Sequence, residues 1–319
     1  LGEGVREICS DFEQKNPAAR ATVIVATSHG ESYAISEFSE HLASQTEPLT
    51  REASESILCD GLLTAFRGGA GVAWPGQTVS AACASASVAV ALASARIAQG
   101  MCDVCLVVSL DVLSRVAHAG FRQIGAMSLN GCSPFDQQRD GTTIAEAGAV
   151  ILVAAEGTRI AESARWKIRA QGFGQACDAR HAVEPSADGV RTALQHALND
   201  AGLRASDLTA IYWHGTGTVQ NDRVEASAAL ALFGNAAPPG TTTKGAFGHA
   251  MGASAALSIL AAGETITSGV LPAVAGLQHC EFPHLNIACG EPVKVKRGPV
   301  AVVASGFGGI NCALVVSPV

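Results

Sequence analysis

The stretch Thr78-Val-Ser-Ala-Ala-Cys83-Ala-Ser85-Ala-Ser87 joins a short apolar run to an Ala-rich one, and a cysteine stands at the join. The first run has the length and residue types of a buried strand. The second, residues 85–98, carries small and apolar side chains at helical spacing. A strand that feeds directly into a helix is a building unit of α/β folds. A thiol at the start of such a helix faces unpaired backbone N–H groups and the positive end of the helix dipole, which favour thiolate and can donate to an oxyanion. The plainer reading of Cys83 alone is a small buried residue at a packed junction.

Outward from this junction the pattern recurs. Residues 21–26, 78–82, 104–110 and 149–153 read as one set of strands, and residues 167–173, 208–213, 300–304 and 313–316 as a second. Helical spacing marks residues 85–98, 189–201, 223–232 and 253–266. The alternation predicts buried parallel strands in two similar α/β halves, 1–158 and 159–319. The boundary rests on a charged stretch at 156–165, with no Pro/Ser linker and no repeat legible as sequence identity.

The chain has 319 residues, 48% of them hydrophobic and only 15% charged, enough to bury a large core. Its net charge of −7, with no basic run, gives no footprint for nucleic acid. Its longest apolar runs are too short to span a membrane, and no basic-then-apolar leader opens it, so a cytoplasmic protein is expected. Ten cysteines at irregular spacings in apolar runs read as reduced thiols. Cys102 and Cys105 form a C-x-x-C without a second pair, so no metal site is expected.

Two further segments sit at element ends. His214 opens HGTGT at 214–218 after the strand at 208–213, and His249 lies in GHAMGA at 248–253, just before an Ala-rich helix. The other seven histidines, His29, His41, His118, His181, His196, His279 and His284, read as structural. Polar groups at element ends that converge are how α/β enzymes assemble sites, so Cys83, His214 and His249 together carry more than any one of them.

In order, Cys83, HGTGT at 214–218, Lys244, GHAMGA at 248–253 and GFGGIN at 306–311 resemble the β-ketoacyl-acyl-carrier-protein synthases of the thiolase superfamily. The segment SPFDQQRDGTTIAEAGAVILV at 133–153 is similar to that family's linking motif. The resemblance covers residues 20–317 and implies a thiolase-like layered αβαβα fold of two similar halves. It implies that Cys83 takes an acyl group from a pantetheine thioester, while His214 and His249 promote decarboxylation of a malonyl-type extender and Lys244 tunes the site. Thiolate attack needs a soft nucleophile, and the forming enolate needs hydrogen-bond donors.

By the same resemblance the oxyanion hole is the backbone N–H of Cys83 and Phe307, and Thr216 and Thr218 bind the pantetheine arm. Substrates arrive on the phosphopantetheine of acyl carrier protein or on coenzyme A, with no bound cofactor. A dimer is expected through the strand at 78–82, as homodimer or as ketosynthase-like heterodimer. Asp136, Arg139, Asp140, Glu146, Asp222 and Glu225 match polar motif positions read as structural.

The sequence departs from the family pattern in four places. Its opening strand and helical hairpin are missing, so the first half is expected to be N-terminally incomplete, and Leu1 fits a processed or partial chain. Ser305 replaces a gating phenylalanine and Trp213 a small residue, which predicts an atypical acyl pocket lined by both. Ser133 replaces an arginine that grips the carrier, which weakens steering. The alternatives to a condensing enzyme are a non-decarboxylating acyltransferase using Cys83 and a non-catalytic ketosynthase-like partner.

Overall fold

The computed structural model describes residues 2–30, 39–40, 44, 61–158, 167–179 and 181–319. His41 and residues 159–165 of the predicted boundary stretch lie outside the described residues.

Two sheets carry the fold. In the first, β1 (Ala21–Ala26) lies between β2 (Gly76–Val79) and β3 (Val104–Asp111), parallel to both, and β4 (Ala147–Ala154) pairs antiparallel with β3. The second sheet is built from β5 (Ile168–Cys177), β6 (Ala210–Tyr212), β7 (Gly240–Thr241), β10 (Val300–Gly306) and β11 (Ile310–Pro318), in the order β5-β11-β10-β6-β7. Read from β7, its first four strands repeat the first sheet: parallel, parallel, antiparallel. A small pair, β8 (Val270–Leu271) and β9 (Val293–Lys294), completes the strands among the described residues.

The expected parallel strands are present, and each sheet adds antiparallel pairing at one side that the sequence did not reveal. Apolar runs cannot separate the two, because a strand covered on both faces is apolar throughout whatever its direction. That double cover is visible residue by residue. Ile24 and Ala26 of β1 enter one core cluster while Val23 and Val25 enter another, and β10 sends Val300 and Val302 one way and Ala301 and Val303 the other.

Between the sheets lie α3 (Ser85–Ala98) and α8 (Ser254–Ser268). Ala89, Val90 and Ala93 of α3 meet Ile259, Ala262 and Ile266 of α8 in one core that also takes Ile24, Tyr212 and Leu314 from the strands. Their alanines, Ala86, Ala255 and Ala256, form a second cluster, so small side chains let the helices approach closely.

The outer face of the first sheet carries α1 (Gly2–Lys15) and α2 (Gly61–Ala70), through Val5, Cys9, Phe12 and Leu63. The outer face of the second carries α5 (Ala187–Ala201) and α6 (Val219–Phe233). There Gly174 leaves no room for a side chain, since a Cβ would stand 2.0 Å from the Ala193 carbonyl oxygen. The result is the five-layer αβαβα order that the family resemblance implies. Short helices α4 (Arg115–Gln123) and α7 (Lys244–Phe247) lie outside this layering.

Candidate active site

β2 ends at Val79, three residues earlier than the alternation predicted. The chain then turns through Ala82, which adopts φ 49°, a left-handed conformation costly for a residue with a Cβ. This tight turn delivers Cys83 two residues before α3. The turn is tied down by Ser85, whose Oγ accepts from the Ala81 N–H at 2.9 Å and lies 3.0 Å from the Thr27 carbonyl oxygen. On its other side lies Gly306, where a Cβ would stand 3.0 Å from the Ala81 oxygen and 3.3 Å from the Cys83 nitrogen. The start of GFGGIN thus passes close against the Cys83 turn.

His214 follows β6 directly. Its backbone N–H and that of Gly215 donate to the two Glu225 oxygens at 2.6 and 2.7 Å, so α6 fixes the start of HGTGT. Lys244, at the start of α7, is buried at 2% exposure and not a surface lysine. Its Nζ donates to the His214 carbonyl oxygen at 2.6 Å and lies 3.3 Å from His214 Nδ1. An ammonium only donates, so Nδ1 accepts and the ring proton is assigned to Nε2.

His249 is held by its Nδ1, 2.9 Å from Ser254 Oγ at the start of α8, and by its backbone N–H, which donates to the Thr143 oxygen at 2.7 Å. The two imidazoles meet edge to face, with ring centroids 5.3 Å apart.

A cleft of about 530 Å³ opens over these groups and is lined by Cys83, His214 and His249 together. Thr216, Thr218, Ser305 and Phe307 line it as well. The Thr216 and Thr218 hydroxyls are 2.9 Å apart, and Thr218 also caps α6 by accepting from the Asn221 N–H at 3.4 Å. Ser305 Oγ is bound to Asn311 Oδ1 at 2.9 Å. Phe307 stacks on Phe121 with centroids 5.3 Å apart, and Phe121 stands edge-on to His249.

Trp213 does not join them. It is fully buried in the core between the second sheet and its outer helices, beside Phe135, Leu198 and Leu285. Alternation explains the correction: Tyr212 points to the central helices, so Trp213 points to the opposite face, and only the chain beyond it turns into the cleft. Of the two residues expected to line an acyl pocket, Ser305 lines the cleft and Trp213 lies in the core.

Burial sets the electrostatics. It pushes the Cys83 thiol up to about 12, against the pull of the Lys244 ammonium and with a further push from the Asp111 carboxylate. The resting sulfur is a thiol, which corrects the thiolate expected from the helix terminus alone. Burial, reinforced by Lys244, holds both imidazoles well below the usual histidine range, so both are neutral near pH 7. Lys244 is itself lowered by burial, with Glu225 opposing.

The linking motif and HGTGT are joined underneath the site. Asp222 accepts from the Phe135 and Gly217 N–H groups at 2.7 and 3.2 Å and pairs with Arg139 at 3.4 Å, while burial pushes it up to about 6. Asp136 accepts from the Gln278 and His279 N–H groups, both at 2.8 Å. Asp140 binds Ser128 and Asn130. Glu146 accepts from the Leu113 N–H. Among the described residues, no group of three His, Cys, Asp or Glu side chains could hold a metal ion, and all nine cysteines are free.

Sequence reasoning did not single out Asp111, at the end of β3, whose buried carboxylate accepts from Thr27, Ser28, His29 and Gly252. The signal available was an acidic residue closing an otherwise apolar strand.

Comparison with known proteins follows the same lines. Residues 10–158 match the family description "Beta-ketoacyl synthase, N-terminal domain" and residues 167–278 "Beta-ketoacyl synthase, C-terminal domain". Nodulation protein E of Rhizobium meliloti is 30% identical over 249 residues, which cover 76% of this chain and 62% of that protein. The 3-oxoacyl-[acyl-carrier-protein] synthase 2 of Mycobacterium leprae is 31% identical over 249 residues, covering 75% and 59%. The chain thus spans about three-fifths of the length of these curated relatives. Among solved structures, the ishigamide ketosynthase/chain length factor superposes with a TM-score of 0.86 at 29% identity, over 94% of this chain and 76% of that one. A β-ketoacyl synthase from Burkholderia phymatum STM815 gives 0.85 at 27%, with the same coverage. Two family matches that together take in most of the sequence, over a fold and a cleft that agree with them, show that the chain belongs to the β-ketoacyl synthase family.

Proposed function

We propose that this chain is a condensing enzyme of the β-ketoacyl synthase type, an acyltransferase that joins a malonyl-type unit to an acyl group held on Cys83. The observation that carries the reading is one cleft lined by a thiol and two neutral imidazoles.

In the first half-reaction the Cys83 sulfur attacks an acyl-pantetheine thioester, and the proton it loses leaves with the pantetheine thiol. The carbonyl oxygen, charged in transit, sits at the backbone N–H groups of Cys83 and Phe307. In the second, the bond between the malonyl carboxylate and its C2 breaks, its electron pair moves into the thioester as an enolate, and carbon dioxide leaves. The Nε2–H groups of His214 and His249 hold the enolate oxygen. Neutral rings suit this task, because each donates a hydrogen bond without surrendering a proton. The enolate carbon then attacks the Cys83 thioester, and the sulfur departs.

Thr216 and Thr218 bind the pantetheine arm, and Ser305 faces the acyl chain. Acyl carrier protein or acyl-coenzyme A delivers the substrates on phosphopantetheine, and the enzyme binds no cofactor of its own. The halves divide at residues 158/159. The partner is a second ketosynthase chain, identical or related. No helix among the described residues is long and apolar enough to cross a membrane, and the many free thiols support a cytoplasmic address.

The test is to incubate the protein with an acyl thioester and labelled malonyl-carrier protein. Acyl mass on Cys83 together with labelled carbon dioxide and a β-ketoacyl product is the expected result. Acyl mass without carbon dioxide would instead mark a non-decarboxylating acyltransferase, and neither would mark a non-catalytic partner.

A further inference from the structure

Asp111 closes β3 with its side chain buried at 3% exposure. Its Oδ1 accepts from the Thr27 hydroxyl at 2.6 Å and from the Ser28 and His29 N–H groups at 3.1 Å. Its Oδ2 accepts from the Ser28 N–H at 2.9 Å and from the Gly252 N–H at 2.7 Å. The first three donors end β1. The fourth belongs to the other sheet's half of the chain, three residues after His249.

That contact exists only because residue 252 is glycine. A Cβ there would stand 2.7 Å from the Ser28 nitrogen and 2.8 Å from Asp111 Oδ2. Met251 beside it takes φ 45°, so the segment is bent to present this N–H. On the near side, Thr27 is in turn tied to the Cys83 turn through Ser85. A continuous series of contacts therefore runs from the Cys83 turn through Ser85, Thr27 and Asp111 to Gly252 and the His249 segment.

We propose that Asp111 is the positioning residue that locks the His249 segment to the Cys83 turn, so that imidazole and sulfur address the same thioester. The proposal rests on the condensing-enzyme reading above and adds a residue to it. A buried carboxylate that accepts from two chain segments aligns them as a neutral side chain of the same shape would not, since an amide must point a donor at one of the N–H groups. The same carboxylate acts on the sulfur through space. Lys244 opposes it there, His214, His249, Asp140, Glu184 and Arg223 line the cleft that holds Cys83, and His29 acts electrostatically on His249.

Asp111→Asn and Gly252→Ala test the proposal together. In Asp111→Asn, hydrogen exchange of the amides at 250–253 should quicken at least tenfold, and carbon dioxide release from malonyl-carrier protein should fall at least tenfold. Iodoacetamide should alkylate Cys83 severalfold faster at pH 8.5, because an anion that discouraged thiolate is gone. Gly252→Ala should show the same fall in carbon dioxide release with alkylation unchanged, because its carboxylate remains. A folded Asp111→Asn protein with wild-type exchange at 250–253 or wild-type carbon dioxide release overturns the proposal. If Asp111→Asn does not fold, undiminished release from Gly252→Ala overturns it. A wild-type protein that releases no carbon dioxide refutes the condensing reading alone, and the exchange rates, which need no substrate, then decide the role of Asp111.

Discussion

Lys244 Nζ sits 2.6 Å from the carbonyl oxygen of His214 and 3.3 Å from its Nδ1, so one ammonium fixes both the position and the tautomer of that imidazole. Replacing Lys244 by Met keeps the volume but removes the donor, and Nδ1 is free to take the ring proton. Decarboxylation should fall by about 10²-fold, the scale of losing one oriented donor to a developing oxyanion. Acylation of Cys83 should change far less. Equal losses in both half-reactions, measured by single-turnover mass spectrometry and carbon dioxide release, would contradict this division.

His249 depends on Ser254 as His214 depends on Lys244. His249→Ala should spare acyl transfer to Cys83 and cut carbon dioxide release by about 10²- to 10³-fold. Ser254→Ala should reproduce a smaller part of that loss, since the ring remains but turns more freely. A Ser254→Ala enzyme with unaltered kcat would show that the 2.9 Å contact does not orient the ring.

Cys83 should label slowly at neutral pH and speed up as the medium becomes alkaline. With the thiol pushed up to about 12, the thiolate is a small fraction throughout the range in which the protein is handled. The rate of alkylation by iodoacetamide should therefore climb about tenfold per pH unit from pH 7 to 10 without levelling off. A plateau below pH 8 would mean that the sulfur is already ionised. Because the folded pKa lies above the ordinary thiol value, protonated Cys83 stabilises the fold, and that contribution declines as pH rises from about 9 toward 12.

Among the described residues β2 ends the first sheet, and all four of its residues are only half-buried. Its outer edge has no strand beside it among those residues, and an open edge of this kind calls for a partner strand. Light scattering should give a dimer, and Thr78→Pro, which removes a ladder donor, should weaken it by tenfold or more. A monodisperse monomer of the unaltered chain would end this expectation.

The α/β alternation and the cysteine and histidines at element ends were legible in the sequence because each depends on local pattern, whereas the layering came from the family resemblance. β1 and α3 match the predicted bounds at both ends, since turn residues and charges delimit an uninterrupted apolar or small-residue run. α1 was missed although Val5, Cys9 and Phe12 recur at helical spacing; its mostly polar composition hid the stripe. Strand direction was not legible in β4 or β11, whose apolar runs read alike in either sense. Trp213 was misplaced because the reading followed its neighbour His214 and ignored the alternation that sends it to the core. The thiol's protonation was misjudged for a related reason. A helix terminus is visible in a sequence, whereas the desolvation that outweighs it arises only when Phe121 and Met251 close around the sulfur.

Ala82 spends its left-handed backbone on aiming the sulfur that follows it. Glycine at that position would relieve roughly 1 kcal/mol of steric cost, offset in part by the greater freedom it gives the unfolded chain. It would also let the thiol wander over a wider arc. The one methyl group of Ala82 thus narrows the arc open to the sulfur and keeps the turn strained in return.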